Sequence, residues 1–356
     1  RKAKKIKVFY KIKSHKPYYI KNINYSIPDS TISGIVLKRL RNSHIVSGTI
    51  FDVGNLELER GRITRMLKQR GYYYFEKENI SFEADSNLLS HEINLSVNIL
   101  QQPLNTQQDS IVLQKTTNKY KIRNIYYIVN YDYKEVLKNK SAFFESLDTL
   151  KINESSYMLY KDKSYIKAEV LLNNTFIKSN DFYSIADVEK TKLNFSQNLI
   201  FRQVSIEFED ISTASTSNQY GLLDCYIQLS PSTKQGYSIN LEGTNTGGDW
   251  GAQVKTTYEN KNLFKGAELF NTKLSYSFEQ NNTEVEKKPQ IFNSREFGID
   301  ISIIFPKFIV PFSTQTLTKR YGLRTFFKAG YSYQKIPYYE RPISNLSYGY
   351  ISKSSR

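Results

Sequence analysis

The chain has 356 residues, a formal net charge of +16 and a mean hydropathy of −0.52. That length holds two or three domains, and with no run of about 18 apolar residues a membrane-crossing helix is excluded, whereas a β-barrel, half of whose residues face water, is not. Cys225 is the only cysteine and His15, His44 and His91 are dispersed, which excludes a disulfide framework and any cysteine-based zinc site and supports no metal site.

The positive charge does not read as nucleic-acid recognition. Residues 1–16 hold eight Lys/Arg and no acid, but Lys7, Lys11 and Lys13 interleave with Val8, Tyr10 and Ile12, the pattern of a strand with a solvated basic face. The remaining charge is scattered, with no helix-turn-helix, finger or RNP-like motif. A basic surface near anionic membrane or acidic clients is the expectation, and nucleic acid is not expected as a partner.

In chain order, residues 5–13 read as the last strand of a preceding domain, spanning 1–16 here. Residues 17–103 then read as β-α-α-β-β. A strand over 18–27 carries Ile20, Ile23 and Tyr25, and a helix over 31–40 carries Ile32, Ile35, Val36 and Leu40 behind the caps Asp29 and Ser30. A second helix over 53–70 starts at Asp52, shows a stripe of Leu56, Ile63, Met66 and Leu67, and stops at Gly71. Strands are expected over 72–83 and 92–100, the latter alternating Ile93, Leu95, Val97 and Ile99.

Residues 104–119, rich in Gln, Thr, Asn and Ser, read as a linker. The unit recurs over 120–232. Ile122, Ile125 and Tyr127 repeat the spacing of Ile20, Ile23 and Tyr25, and Ile206 and Phe208 answer Ile80 and Phe82. Leu223, Cys225, Ile227 and Leu229 answer the Ile93 to Ile99 strand, so Cys225 is expected as a buried core thiol. Helices are expected over 165–173 and 185–197, the second with Ile185, Val188, Leu193 and Phe195. Residues near 131–163 form an insertion whose structure the pattern does not give.

From Gly236 onward the pattern changes. Tyr237, Ile239 and Leu241 alternate with Ser238, Asn240 and Glu242, and five further segments alternate in the same way, led by Trp250, Phe270, Phe297, Thr325 and Ser344. A soluble β-sandwich also alternates and remains an alternative on this pattern. Against it, the opposite face carries Gly, Ser, Asn, Lys, Asp and Glu, and Tyr and Phe crowd the strand ends. A transmembrane barrel needs that arrangement, because every backbone polar group in lipid must be paired within the sheet. Residues 233–356 are therefore expected to be the N-terminal part of an outer-membrane β-barrel, about six strands of it. The chain begins at Arg1 rather than Met and ends just after a strand pattern, so both ends are expected to be cuts through a longer protein.

Consecutive β-α-α-β-β units leading into GYSINLEGTNTGGDWGAQVKTTYENKNLFKGAE (236–268) resemble the BamA/TamA family of outer-membrane insertases. The most specific match is Asn262, Leu263, Phe264, Gly266, Ala267 and Glu268. FDVGNLELERGRITRMLKQRGYYYFEKENISFEAD (51–85), FPKFIVPF (305–312) and PYYERPISNLSYGY (337–350) are most similar to the TamA-like lipoprotein branch of Bacteroidetes. The resemblance implies α+β POTRA repeats followed by the first strands of an antiparallel transmembrane β-barrel. It also implies assembly, insertion or translocation of proteins at the bacterial outer membrane, with the POTRA domains in the periplasm. The implied partners are unfolded outer-membrane protein clients, outer-membrane lipid and a TamB-like periplasm-spanning protein.

The work expected is strand pairing, since a sheet edge offers unpaired N–H and C=O groups to any extended segment. Two kinds of edge are candidates. One is the barrel's first strand, Gly236, Tyr237, Ser238, Ile239, Asn240, Leu241, Glu242 and Gly243, which by resemblance meets the last strand at a weak lateral seam. Gly236 and Gly243 would weaken packing there, a turn or close packing being the other reading. The second kind is a POTRA edge strand, with Tyr72, Tyr73, Tyr74, Phe75, Ile80 and Phe82 in one unit and Phe201, Val204, Ile206 and Phe208 in the next. No nucleophilic triad or phosphate loop occurs, so neither an enzyme nor a cofactor is expected. A two-partner-type secretion transporter and a structural or binding barrel remain alternatives, the apparent third unit at 1–16 favouring the insertase.

Overall fold

The computed structural model describes residues 16–87, 89–100, 113–212, 219–246, 249–280, 292–310 and 322–352. The strand expected over 5–13 lies outside them, as does most of the 104–119 linker, of which 113–117 are helical. The chain divides into two compact units, 1–121 with 182–186 and 213–222, and 122–181 with 187–212 and 223–356.

The first unit is built from β1 (Tyr19–Ser26), α1 (Ser30–Leu37), α2 (Val53–Lys68), β2 (Ile80–Asn87) and β3 (Glu92–Ile99). Each helix starts where an acidic side chain satisfies a first-turn N–H: Asp29 accepts from Ile32 N at 2.8 Å and Asp52 from Gly54 N at 2.8 Å. Gly71, at φ 103°, supplies the left-handed turn after α2. The sheet order is β1-β3-β2, with β1 parallel and β2 antiparallel to β3. Ile32, Val36, Ile63 and Leu67 of the helices bury against Ile20, Leu95, Val97 and Ile99 of the sheet. Leu40 falls outside this stripe because α1 ends at Leu37 and a short 3-10 turn follows.

The second α/β sheet contains β4 (Tyr120–Ile128), β5 (Asp148–Asn153), β6 (Ser156–Tyr160), β7 (Phe201–Asp210) and β8 (Gly221–Pro231), in the order β5-β6-β4-β8-β7. Its helices are α3 (Tyr133–Lys138), α4 (Lys140–Glu145), α5 (Ala168–Asn174) and α6 (Ile185–Ser196). Removing 131–163 leaves β4-α5-α6-β7-β8, the order of the first unit. The insertion supplies α3, α4 and the β5-β6 hairpin, whose β6 pairs parallel to β4 and widens the sheet. Cys225 is a fully buried thiol. In α6 the expected Phe195 is buried, but the expected Leu193 is exposed and Thr191 turns inward instead. Thr191 is tolerated there because its hydroxyl donates to Asp187 O at 2.7 Å and accepts from Phe176 N at 2.9 Å.

The same compact unit holds six antiparallel strands, β9 (Gln235–Thr246), β10 (Asp249–Asn260), β11 (Leu269–Glu279), β12 (Ser294–Phe305), β13 (Arg324–Ile336) and β14 (Tyr339–Ile351). Among the described residues they pair in sequence order and the sheet is open, with β9 and β14 at its edges. Among the described residues no helix is long and apolar enough to cross a membrane.

Candidate functional site

Register makes the six-stranded sheet two-faced. One cross-strand row runs Tyr237, Tyr258, Thr272, Ile301, Ala329, Leu346; the next runs Ile239, Thr256, Leu274, Ile299, Tyr331, Ser344; a third runs Leu241, Val254, Tyr276, Phe297, Tyr333, Pro342. The intervening rows are polar: Ser238, Thr257, Lys273, Asp300, Gly330, Asn345, and Glu242, Gln253, Ser277, Glu296, Gln334, Arg341. Because successive side chains point to opposite faces, these rows separate into one apolar and one wet surface. Lys255 and Glu242 pair across the wet one at 2.6 Å.

The apolar surface is not covered. Tyr237, Ile239 and Leu241 are 73, 69 and 77% exposed, and Leu346 is 84% exposed. A contiguous apolar face of this extent is foreign to a monomer in water. Rings gather at both ends of it. At the end adjoining the second α/β domain Tyr237 meets Tyr258 at 5.0 Å, and Phe327 meets Tyr348 at 4.8 Å. At the far end Phe278 meets Phe292 at 4.6 Å, and Trp250, whose carbonyl accepts from Gln280 N at 2.8 Å, stands at the same end of β10. Tyr258 and Trp250 lie on one strand about 26 Å apart at an ordinary strand rise, close to the height of a membrane barrel's apolar band.

All eight residues of the expected seam, Gly236 to Gly243, lie in the edge strand β9, which among the described residues pairs with β10 alone. Among the described residues a Cβ on Gly236 or Gly243 meets nothing within 4 Å, and neither glycine has a positive φ. Gly330, on the polar face, is crowded. A Cβ on Gly330 comes within 2.7 Å of Asp300 Oδ1 and 2.6 Å of Asn345 Oδ1, so a side chain there would have to move both polar groups aside.

The connection between β10 and β11 ties the sheet to the second α/β domain. Asn262 and Glu268 are buried in it. Glu268 Oε2 accepts from Phe264 N and Gly266 N, each at 3.0 Å, and Asn262 Oδ1 accepts from Ala267 N at 3.0 Å, so the turn closes on its own side chains. Its outward groups reach the domain: Asn262 Nδ2 donates to Tyr165 O at 2.6 Å, Lys167 N to Lys265 O at 2.8 Å, and Lys265 Nζ to Ser164 O at 3.2 Å. Arg324, at the start of β13, donates to Gln197 O just beyond α6 at 3.4 Å, where a cation suits the negative end of a helix. Asn262 and Glu268 were named in the sequence only through resemblance. Ser164, Tyr165, Lys167 and Arg324 were missed, and no local pattern marks them.

The α/β edge strands stand as follows. β2 and β7 are at sheet edges, which places Ile80, Phe82, Phe201, Val204, Ile206 and Phe208 on edge strands. Tyr72, Tyr73, Tyr74 and Phe75 are not strand residues, because the Gly71 turn folds them back against α2 and β2 begins only at Ile80. Tyr72 and Phe75 are core residues, and burial pushes the Tyr72 hydroxyl up to about 12. Tyr73 and Tyr74 pack edge-on against Tyr120 at 6.1 and 5.2 Å, and Tyr73 also meets Tyr183 at 5.0 Å. Four aromatics in a row satisfy strand composition, but here they are spent on packing.

No family model and no curated protein matches the sequence. Among solved structures the chain is similar to BamA from Haemophilus ducreyi lacking POTRA domains 1–3, at 11% identity and a TM-score of 0.47, covering 95% of this chain and 60% of that one. It is also similar to CdiB from Acinetobacter baumannii, at 10% identity and a TM-score of 0.30, covering 95% of this chain and 59% of that one. A third is BamA POTRA3-5 from Haemophilus influenzae, at 10% identity and a TM-score of 0.23, covering 60% of this chain and 97% of that one. The chain thus spans 60% and 59% of the first two structures.

Proposed function

We propose that this chain is part of an outer-membrane machine that inserts or translocates proteins by β-strand pairing. In this reading the two α/β domains are POTRA domains in the periplasm, and the six-stranded sheet is the first part of a transmembrane barrel. The observation that carries it is the register-continuous apolar face left uncovered, on a sheet whose first strand is an edge. In lipid that face is solvated by acyl chains, the ring belts sit at the two interfaces, and the polar rows line the lumen.

Such an edge does chemistry without bond making. An unfolded client segment laid beside β9 satisfies its backbone N–H and C=O groups with little demand on its side chains, which suits many clients. No catalytic role or cofactor is assigned. Within this class we read a TamA-like role with a TamB-like partner, supported by the sequence resemblance. Membrane fractionation of the full-length product, with gel mobility compared before and after heating, tests the reading. A heat-shifted band in the outer-membrane fraction is expected; a water-soluble product with unshifted mobility removes it.

A further inference from the structure

A groove of about 510 Å³ lies between the inserted helices α3 and α4 and the outer face of β7 and β8. Phe143 pins the helices by packing edge-on against Tyr131 at 5.8 Å. That leaves Val136 and Phe144 to form one wall of the groove. The floor is Tyr226, whose ring stacks on Tyr126 at 5.0 Å, and Tyr126 stacks in turn on Tyr157 at 5.2 Å. The floor is therefore rigid.

The rim is acidic. Glu207 and Glu209 stand two residues apart on β7 and so share the face that Tyr226 occupies, Glu207 being its direct cross-strand partner. Tyr226 OH donates to Glu209 Oε2 at 3.0 Å, which holds that carboxylate at the hydroxyl end of the ring. Asp224, the next acid on this face, is already matched by Arg123, whose Nε lies 3.0 Å from its Oδ1. Among the described residues no cation pairs with Glu207 or Glu209, although Lys140 stands on the opposite wall. In a chain of net charge +16, two uncompensated carboxylates over an aromatic floor are a local reversal of sign.

We propose that this groove binds an extended polypeptide segment presenting an arginine or lysine between apolar side chains. The cation lies over the Tyr226 ring and meets Glu207, and the flanking apolar side chains cover Val136 and Phe144. Nucleic acid and acidic peptides are repelled by the same carboxylates. The proposal rests on the reading of this chain as a handler of unfolded segments, and adds the side-chain class that the inserted helices select.

The test uses full-length protein in detergent and two labelled peptides of alternating threonine and valine, one with a central arginine and one with a central glutamate, followed by fluorescence anisotropy. The arginine peptide is expected to bind more tightly by about tenfold or more. In the double variant Glu207→Lys/Glu209→Lys the order is expected to invert. Both residues are exposed, so the heat-shifted mobility of the variant should match the parent. Equal binding of the two peptides, no binding of either, or an arginine preference that survives the double reversal overturns the proposal. A parent protein that discriminates the peptides without showing a heat-shifted band overturns the membrane reading instead.

Discussion

The side-chain amide of Asn262 donates to the main-chain carbonyl of Tyr165 at 2.6 Å, joining residues 97 apart in sequence. It is one of three hydrogen bonds by which the first near-end turn of the sheet grips the Ser164–Lys167 segment, and it is the one made by a buried side chain. Asn262→Ala removes the donor to Tyr165 and the acceptor for Ala267 N together, at a cost of about 1–3 kcal/mol. Faster hydrogen exchange at Lys167 and Ala267 is expected, with the β9–β10 pairing unchanged. Gly266→Ala should loosen the same turn, because a Cβ there crowds Glu268 Oε1 and moves the carboxylate off Phe264 N and Gly266 N. Unaltered exchange at both sites in both variants would show that the turn is not a clamp.

Glu59 gives the first unit an acid-sensitive core. Burial by itself raises its pKa, but the Arg62 guanidinium at 2.6 and 2.8 Å and His44 N at 3.0 Å outweigh burial and hold it below the usual carboxylate range. A depressed folded pKa means stability that is complete above the unfolded value and lost as pH falls through the folded one. Urea unfolding followed by helical ellipticity should therefore weaken below about pH 4.3, the ordinary value for glutamate. Glu59→Gln should flatten that acid limb and, by leaving Arg62 without its buried partner, cost about 3 kcal/mol at neutral pH. An acid limb of equal slope in parent and variant would assign the pH dependence elsewhere.

The parts of this fold that were legible in the sequence are those whose signal is local and long. β9 to β14 are 11 to 13 residues each, so a period of two repeats often enough to identify both faces. Asp29 and Asp52 were legible because a cap needs one residue at one place. The stretch Tyr72–Phe75 misled because β-rich composition carries no information about whether the chain has just turned, and Gly71 had turned it. α3 and α4, with six residues each, are too short for a helical period to show. The bond from Asn262 to Tyr165 has no local signature in either partner, since a side chain meeting a distant carbonyl is set by the assembled fold alone.

Tyr331 and Ser332 are consecutive on β13 and belong to opposite faces, Tyr331 in the row with Ile299 and Ser332 in the row with Gly298. At equal depth they test the two-faced reading directly. Tyr331→Lys should destabilise the protein in lipid vesicles by about 2–4 kcal/mol, the range for a cation facing lipid near the midplane, and Ser332→Lys by much less. Urea titration in vesicles measures both. Comparable losses at the two positions would mean that the apolar face does not meet lipid.

The edge role of β9 has the sharpest consequence. Proline cannot donate a ladder hydrogen bond, so a scan through Tyr237, Ser238, Ile239, Asn240 and Leu241 removes, one at a time, the N–H groups by which this strand pairs. Those that point toward β10 weaken the hairpin, and those that point to the open side remove only what a client would use. Because successive backbone N–H groups of one strand point to opposite sides, the scan should show an alternating pattern: loss of complementation with the heat-shifted band retained at every second position. Gly243→Val complements the scan, since its Cβ meets nothing within 4 Å and the substitution stiffens the edge without a clash. It should keep or raise barrel stability while lowering activity, which separates opening of the edge from folding of the sheet. Full complementation across the scan and in Gly243→Val would remove β9 as the working edge.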